Sequence, residues 1–196
     1  INLDVETIKS DVGPSYIQFI RELSAACRKE KLVLSVDNYS PMPHTAFYDR
    51  TQQGQVVDYV VVMAYDEHYN GSEEGSVASI GFVEQGIKDT LKEVPAEQVI
   101  LGVPFYTRVW ELTPVAEGTD AEISEEDALR GYSIRSEAVS MSEVDSRVAA
   151  NSVNLEWLED CGQYYAEYQY DGKTYKIWVE DQKSIGEKLN VMKENH

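Results

Sequence analysis

Residues 59–64 read Tyr-Val-Val-Val-Met-Ala, a near-continuous apolar run. A strand apolar on both faces is one covered on both faces, the condition met in parallel sheets flanked by helices. Three further segments share this strand character: the opening residues 1–6, residues 32–36 and residues 99–106. Helical patterns lie between them. After Pro14, the residues Tyr16, Ile17, Ile20, Leu23 and Cys27 recur at three- and four-residue steps, and Phe82, Val83, Ile87 and Leu91 do so before Pro95. Strands separated by helices at intervals of roughly 25 to 40 residues predict βαβ units and a parallel sheet, open or closed into a barrel.

The rhythm breaks after residue 112. An acidic stretch leads into Glu-Tyr-Gln-Tyr-Asp-Gly-Lys-Thr-Tyr, where aromatics alternate on either side of Asp171-Gly172, a strong two-residue hairpin signal. Three spans follow: 1–112 as strands and helices of the parallel sheet, 113–176 as an α+β insertion, and 177–196 as a return to a helix. Asp181 is placed to cap that last helix, with Ile185, Leu189 and Met192 facing inward.

Charge narrows the partners. Thirty-five Asp and Glu against 17 Lys and Arg give a formal net charge of −18, which repels nucleic acid and anionic membrane alike. Cys27 and Cys161 make neither a disulfide framework nor a metal site, and His44, His68 and His196 show no ligand spacing, so neither metal nor cofactor is expected. The chain opens inside a strand and without Met, which suggests a piece of a longer protein.

In the opening residues Asn2, Asp4 and Glu6 fall on one strand face and Ile1, Leu3 and Val5 on the other. A solvated acidic edge shows the same alternation. Active sites of parallel α/β folds lie at the C-terminal strand ends. The polar residues there are Asp4 and Glu6; Asp37, Asn38 and Tyr39; Tyr65 and Asp66 beside Met63; and Tyr106 and Arg108. Carboxylates among aromatic faces suit a sugar, because the rings stack on pyranose faces while the carboxylates accept hydroxyl hydrogen bonds. Trp110 is a candidate sugar platform on the same segment. Tyr164, Tyr165, Tyr168 and Tyr170 read as hairpin packing.

Ile-Asn-Leu-Asp-Val-Glu resembles the latter part of the D-x-x-D-x-D-x-E strand signature of glycoside hydrolase family 18, the chitinase-like (β/α)8 barrels. Met-Ala-Tyr-Asp at residues 63–66 resembles that family's M-x-Y-D, in the same order and at similar spacing. Residues 103–110, 155–158 and 177–181 are similar to segments of its bacterial spore-germination and cortex-associated branch, where Asn commonly stands at the position of Asn2. The resemblance implies an α/β fold, a partial (β/α)8 TIM barrel from the fourth strand to the helix after the seventh, with the insertion after the seventh strand. Open strand edges then predict pairing with a second copy or an unstable edge.

It also implies a glycosidase acting on an N-acetylglucosamine-containing polysaccharide, chitin or peptidoglycan-like, in the cell envelope or at the spore surface. Glu6 takes the place of the general acid and base, Asp4 that of the carboxylate orienting the acetamido group, and Tyr65 that of its hydrogen-bond donor. Met63 and Asp66 fall on sugar-contacting positions, while Asn2, Tyr39, Tyr106, Arg108 and Trp110 are expected to bind substrate from their places along the same strands. This is the substrate-assisted exception to the two-carboxylate scheme. Like-charge repulsion between Asp4 and Glu6 favours the proton that an acid needs. With a neutral amide at position 2, Asp4 is expected to ionise more easily. The alternatives are a non-catalytic sugar-binding module and an inactive fragment of such an enzyme, and the presence of Glu6 favours the enzyme over the binding module.

Overall fold

The computed structural model describes residues 1–115 and 124–195. It divides into two compact units, Ile1–Tyr65 with Phe82–Val103 and Lys188–His196, and Asp66–Gly81 with Pro104–Glu187. His196, and residues 116–123 of the expected insertion, lie outside the described residues.

The first unit is built on a four-stranded sheet in the order β1 (Asn2–Leu3), β2 (Ser35–Tyr39), β3 (Tyr59–Met63), β4 (Val99–Gly102). Every pairing is parallel, as the double-sided apolar run at β3 requires. The register aligns Asn2 with Ser35 and Leu3 with Val36, then Asp37 with Val61 and Tyr39 with Met63. Helix α1 (Gly13–Lys29) carries Pro14 in its first turn and Arg28 and Lys29 in its last, where a positive charge suits the dipole. Its buried residues Tyr16, Ile20 and Cys27 pack with Leu34, Val36, Tyr48, Val57 and Val60 in one apolar cluster.

Two strand expectations move. The second strand starts at Ser35, three residues later than expected, because Leu32 and Val33 stand exposed after the α1 terminus. The expected strand at 99–106 is two strands. β4 ends at Gly102, Pro104 has no N–H to donate to a ladder, and β5 (Tyr106–Pro114) belongs to another sheet. β5 therefore runs across the expected boundary at residue 112.

The second unit holds a five-stranded antiparallel sheet in the order β6 (Tyr132–Ser140), β5, β9 (Lys173–Val179), β8 (Gln163–Tyr170), β7 (Glu156–Leu158). The expected hairpin is present: β8 pairs with β9 around Asp171 at φ 49° and Gly172 at φ 70°, the two left-handed positions that a type I′ turn needs. On one face Val109, Val139, Ala166, Ile177 and Val179 pack with Val144 of the helix Met141–Ala150. On the edge, Trp157 meets Tyr164 edge to face, and Tyr168 stacks on Tyr175 at 5.0 Å. The hairpin aromatics are packing residues, except Tyr170, which is exposed.

The last helix, Gln182–Glu194, starts as expected, with Ser184 N donating to Asp181 Oδ1 at 2.8 Å. Its buried stripe does not. Ser184, Lys188 and Val191 are buried, whereas Leu189 and Met192 are each 39% exposed. The hydrogen bond from Ser184 Oγ to the buried Glu180 Oε2, 2.7 Å, draws that polar position inward.

Candidate active site

β1 and β2 present matching polar faces in the first unit. Ser35, Asp37 and Tyr39 occupy alternate positions on β2, as Asn2, Asp4 and Glu6 do along the opening segment, although only Asn2 and Leu3 of that segment form a ladder. Ser35 Oγ donates to Asn2 Oδ1 at 2.6 Å, and Asn2 Nδ2 donates to Asp37 Oδ2 at 2.8 Å. The two bonds fix which way the Asn2 amide faces. Four residues further along, Tyr39 Oη donates to Glu6 Oε2 at 2.6 Å. Asn2, Asp4 and Glu6 are all exposed.

Asp4 meets carboxylates other than the one that position 2 lacks. Burial first, then the Asp37 carboxylate, then that of Glu6, hold its carboxyl above the usual value. A second carboxylate does act on Asp4, and it comes from the next strand, at Asp37, rather than from position 2. Burial, followed by the hydrogen bond to Glu6, pushes the Tyr39 phenol up, so it remains a donor to that carboxylate. Tyr39, expected on the substrate, is thus a partner of the expected acid.

Backbone geometry marks the end of this segment. Thr7, directly after Glu6, has φ 56°, an uncommon left-handed conformation for a β-branched residue. Such residues cost on the order of 1–3 kcal/mol and persist where the surroundings fix them. Asp66, directly after Tyr65, has the same φ of 56°. Met63 is 7% exposed and packs in the sheet. Tyr65 lies against Gly102: a Cβ there would stand 3.4 Å from its ring and 3.1 Å from Val62 O, so the glycine leaves the ring its place.

In the second unit Asp66, Tyr106 and Arg108 come together. Tyr106 Oη donates to Asp66 Oδ1, and Arg108 Nη2 lies 3.8 Å from the same oxygen while Nη1 donates to Ser136 Oγ at 3.2 Å. Trp110 does not join them as a platform. It is fully buried, its indole N–H donating to Gly75 O at 2.8 Å, and a ring without an exposed face cannot stack on a sugar. His68 Nδ1 hydrogen-bonds the Ser76 carbonyl at 2.8 Å, and His44 is exposed. Asn38, one of the strand-end polar residues, is buried on the opposite side of β2, where it hydrogen-bonds Gln53 at 2.7 Å.

Ser35 is absent from the residues expected at the site, and Asp37 is expected there only as a polar residue at a strand end, with no partner. Their signal was available in the alternation of Ser35, Asp37 and Tyr39, but pairing them with Asn2 and Glu6 requires the strand register.

Comparison with known proteins bears on the whole chain. The family described as Glycosyl hydrolases family 18 matches residues 1–196. YdhD of Bacillus subtilis is 29% identical over 209 residues, covering 99% of this chain and 44% of that protein. The cortical fragment-lytic enzyme of the same organism is 27% identical over 201 residues, with 99% and 43% covered. The chain thus spans less than half the length of these relatives. The crystal structure of YdhD superposes with a TM-score of 0.84 at 25% identity, covering 98% of this chain and 60% of that one. A chitinase from Chromobacterium violaceum gives 0.83 at 20% identity, covering 100% and 57%, a likeness of fold alone. The fold is accordingly α/β and TIM-barrel-like. A family match extending from the first residue to the last decides membership: the chain belongs to glycosyl hydrolase family 18.

Proposed function

We propose that the chain carries the catalytic strand of a glycosidase that cleaves β-1,4-linked N-acetylglucosamine polymers, chitin or peptidoglycan-like, with retention of configuration. In this reading β1 to β4 are the fourth to seventh strands of a (β/α)8 barrel and the antiparallel sheet is an insertion after the seventh. The observation that carries the reading is the placement of Glu6 two residues after Asp4 on one exposed polar face, with its carboxylate held by Tyr39 at 2.6 Å.

Glu6 gives its proton to the glycosidic oxygen as the bond to the anomeric carbon breaks. The substrate's own acetamido carbonyl oxygen forms the new bond to that carbon, giving an oxazolinium ion. Asp4 accepts the acetamide N–H and stabilises the developing positive charge, and Tyr65 donates to the acetamido oxygen. Glu6, now a carboxylate, takes a proton from water as the water oxygen attacks the anomeric carbon and the ring opens. Asp66, fixed by Tyr106 and Arg108, contributes a sugar contact. The name of one protein similar to this chain, a cortical fragment-lytic enzyme, supports the polymer class and a place of action in the cell envelope or spore.

The test is cleavage of N-acetylglucosamine oligomers and of cortex-type peptidoglycan fragments by the complete protein. Glu6→Gln is expected to lower kcat by at least about a hundredfold, the scale of a lost general acid. Equal rates for the two proteins would sink the mechanism, and sugar binding without turnover in both would select a lectin.

A further inference from the structure

We infer that Asp37 is a positioning residue, which supplies from the second strand the acidic group that Asn2 leaves out of the first, orienting the Asn2 amide and keeping a second negative charge beside Asp4. The inference rests on the proposed role of Asp4.

Three observations converge on Asp37. Its Oδ2 accepts the Asn2 Nδ2 hydrogen at 2.8 Å, while Ser35 Oγ occupies the other end of that amide at 2.6 Å, so the amide is clamped from β2 at both ends. The parallel register pairs Asn2 with Ser35 and Leu3 with Val36, and the residues that come next on the two segments, Asp4 and Asp37, are close enough for the Asp37 charge to act on Asp4. Finally, Asp37 Oδ1 is buried and has no hydrogen-bond partner. An unpaired carboxylate oxygen away from water is costly. It persists here beside a residue whose protonation the reaction uses.

The groups facing Asp4 can be named element by element. Its own segment brings Asn2 and Glu6. β2 brings Asp37, with Tyr39 engaged on Glu6. From α1 comes Tyr16, whose phenol is buried and without a partner and is pushed up to about 12 by burial first, then by Tyr48, Asp37 and Asp4. β3 brings Val61 and Met63 on the corresponding positions, neither of them charged. Asp37 is the one of these groups that is acidic, sits on another strand and hydrogen-bonds position 2.

Asp4 accepts the acetamide N–H as a carboxylate, so its ionisation sets the acid limb of the rate profile. A negative charge at Asp37 delays that ionisation as pH rises. Asp37→Asn removes the charge and conserves the shape, and the acid limb moves to lower pH. Moving the charge back to the first strand, in the double variant Asn2→Asp with Asp37→Asn, keeps one amide and one carboxylate facing each other with the hydrogen bond reversed.

The experiment uses the complete protein, with carboxyl carbons labelled so that the titration of Asp4 is followed directly by NMR beside the pH profile of kcat/KM. Asp37→Asn is expected to lower the Asp4 midpoint, to move the acid limb with it, and to reduce kcat/KM on the order of tenfold at the wild-type optimum through the loosened amide. The exchanged pair is expected to restore both midpoint and limb. An Asp4 midpoint unmoved in Asp37→Asn, or unrestored in the exchanged pair, overturns the inference. The catalytic reading fails separately, by undiminished turnover in Glu6→Gln, which leaves the NMR arm readable by itself.

Discussion

Glu6 and Tyr39 form the contact on which the proposed chemistry turns, and its strength can be measured. Tyr39→Phe removes one donor to a carboxylate, an interaction of about 1.5–3 kcal/mol, and kcat/KM is expected to fall about tenfold while the fold survives, since only the hydroxyl is lost. Steady-state kinetics with thermal unfolding of the same protein checks both halves. Trp110 makes the opposite prediction. Buried completely and bonded to Gly75, it should cost about 3–5 kcal/mol of stability as Trp110→Ala, while the milder Trp110→Phe leaves KM for sugar unchanged. Much of this scale was legible in the sequence. Asp4, Glu6, Tyr65 and Asp66 stand out by alternation and by likeness to a known pattern. Trp110 did not, because an aromatic residue after a strand reads the same whether it faces solvent or core. Asp37 stood out only as a polar residue at a strand end; its pairing with Asn2 did not, because a side chain on one strand finds its partner on another only through register, which no single segment encodes.

Elements show a similar division. The apolar run of β3 and the Asp171-Gly172 turn are local signals, and both appear where the sequence puts them. The break between β4 and β5 is not local: residues 99–106 look continuous, and the chain leaves one sheet for another because Pro104 cannot continue the ladder and β5 has longer partners in β6 and β9. That second sheet carries its own pH dependence. The Lys173 hydrogen bond, opposed by partial burial and joined by Tyr175, holds the Glu111 carboxyl below its ordinary 4.5. Burial works against Glu74, yet the hydrogen bonds of Lys176 and Tyr132 hold it below the same ordinary value. Carboxyls lowered on folding stabilise the native state above the unfolded value and stop doing so as pH falls through the folded one. Unfolding of the second unit should therefore steepen below about pH 4.5, and Lys173→Met should flatten that slope. Denaturation melts across pH 3 to 6 are the measurement, and parallel slopes would count against the assignment.

For the molecule as a whole, a net charge of −18 on 196 residues is a self-repulsion that salt screens. Raising ionic strength from about 10 mM to 150 mM shortens the screening length from about 30 to 8 Å, and the melting temperature is expected to rise by about 2–5 °C. A Tm independent of salt would mean that the excess carboxylates lie too far apart for their repulsion to weigh on folding. Composition gave this property directly, whereas the division into two units, with residues 66–81 grouped with the antiparallel sheet, joins parts too distant along the chain for any window to connect. The left-handed residues at Thr7 and Asp66 have a last consequence. Each turns the backbone aside one residue past a side chain proposed to act, Glu6 in one case and Tyr65 in the other. A turn at that point takes the following backbone off the line of the strand, so a substitution that relieves the left-handed conformation is felt first by the side chain just before it.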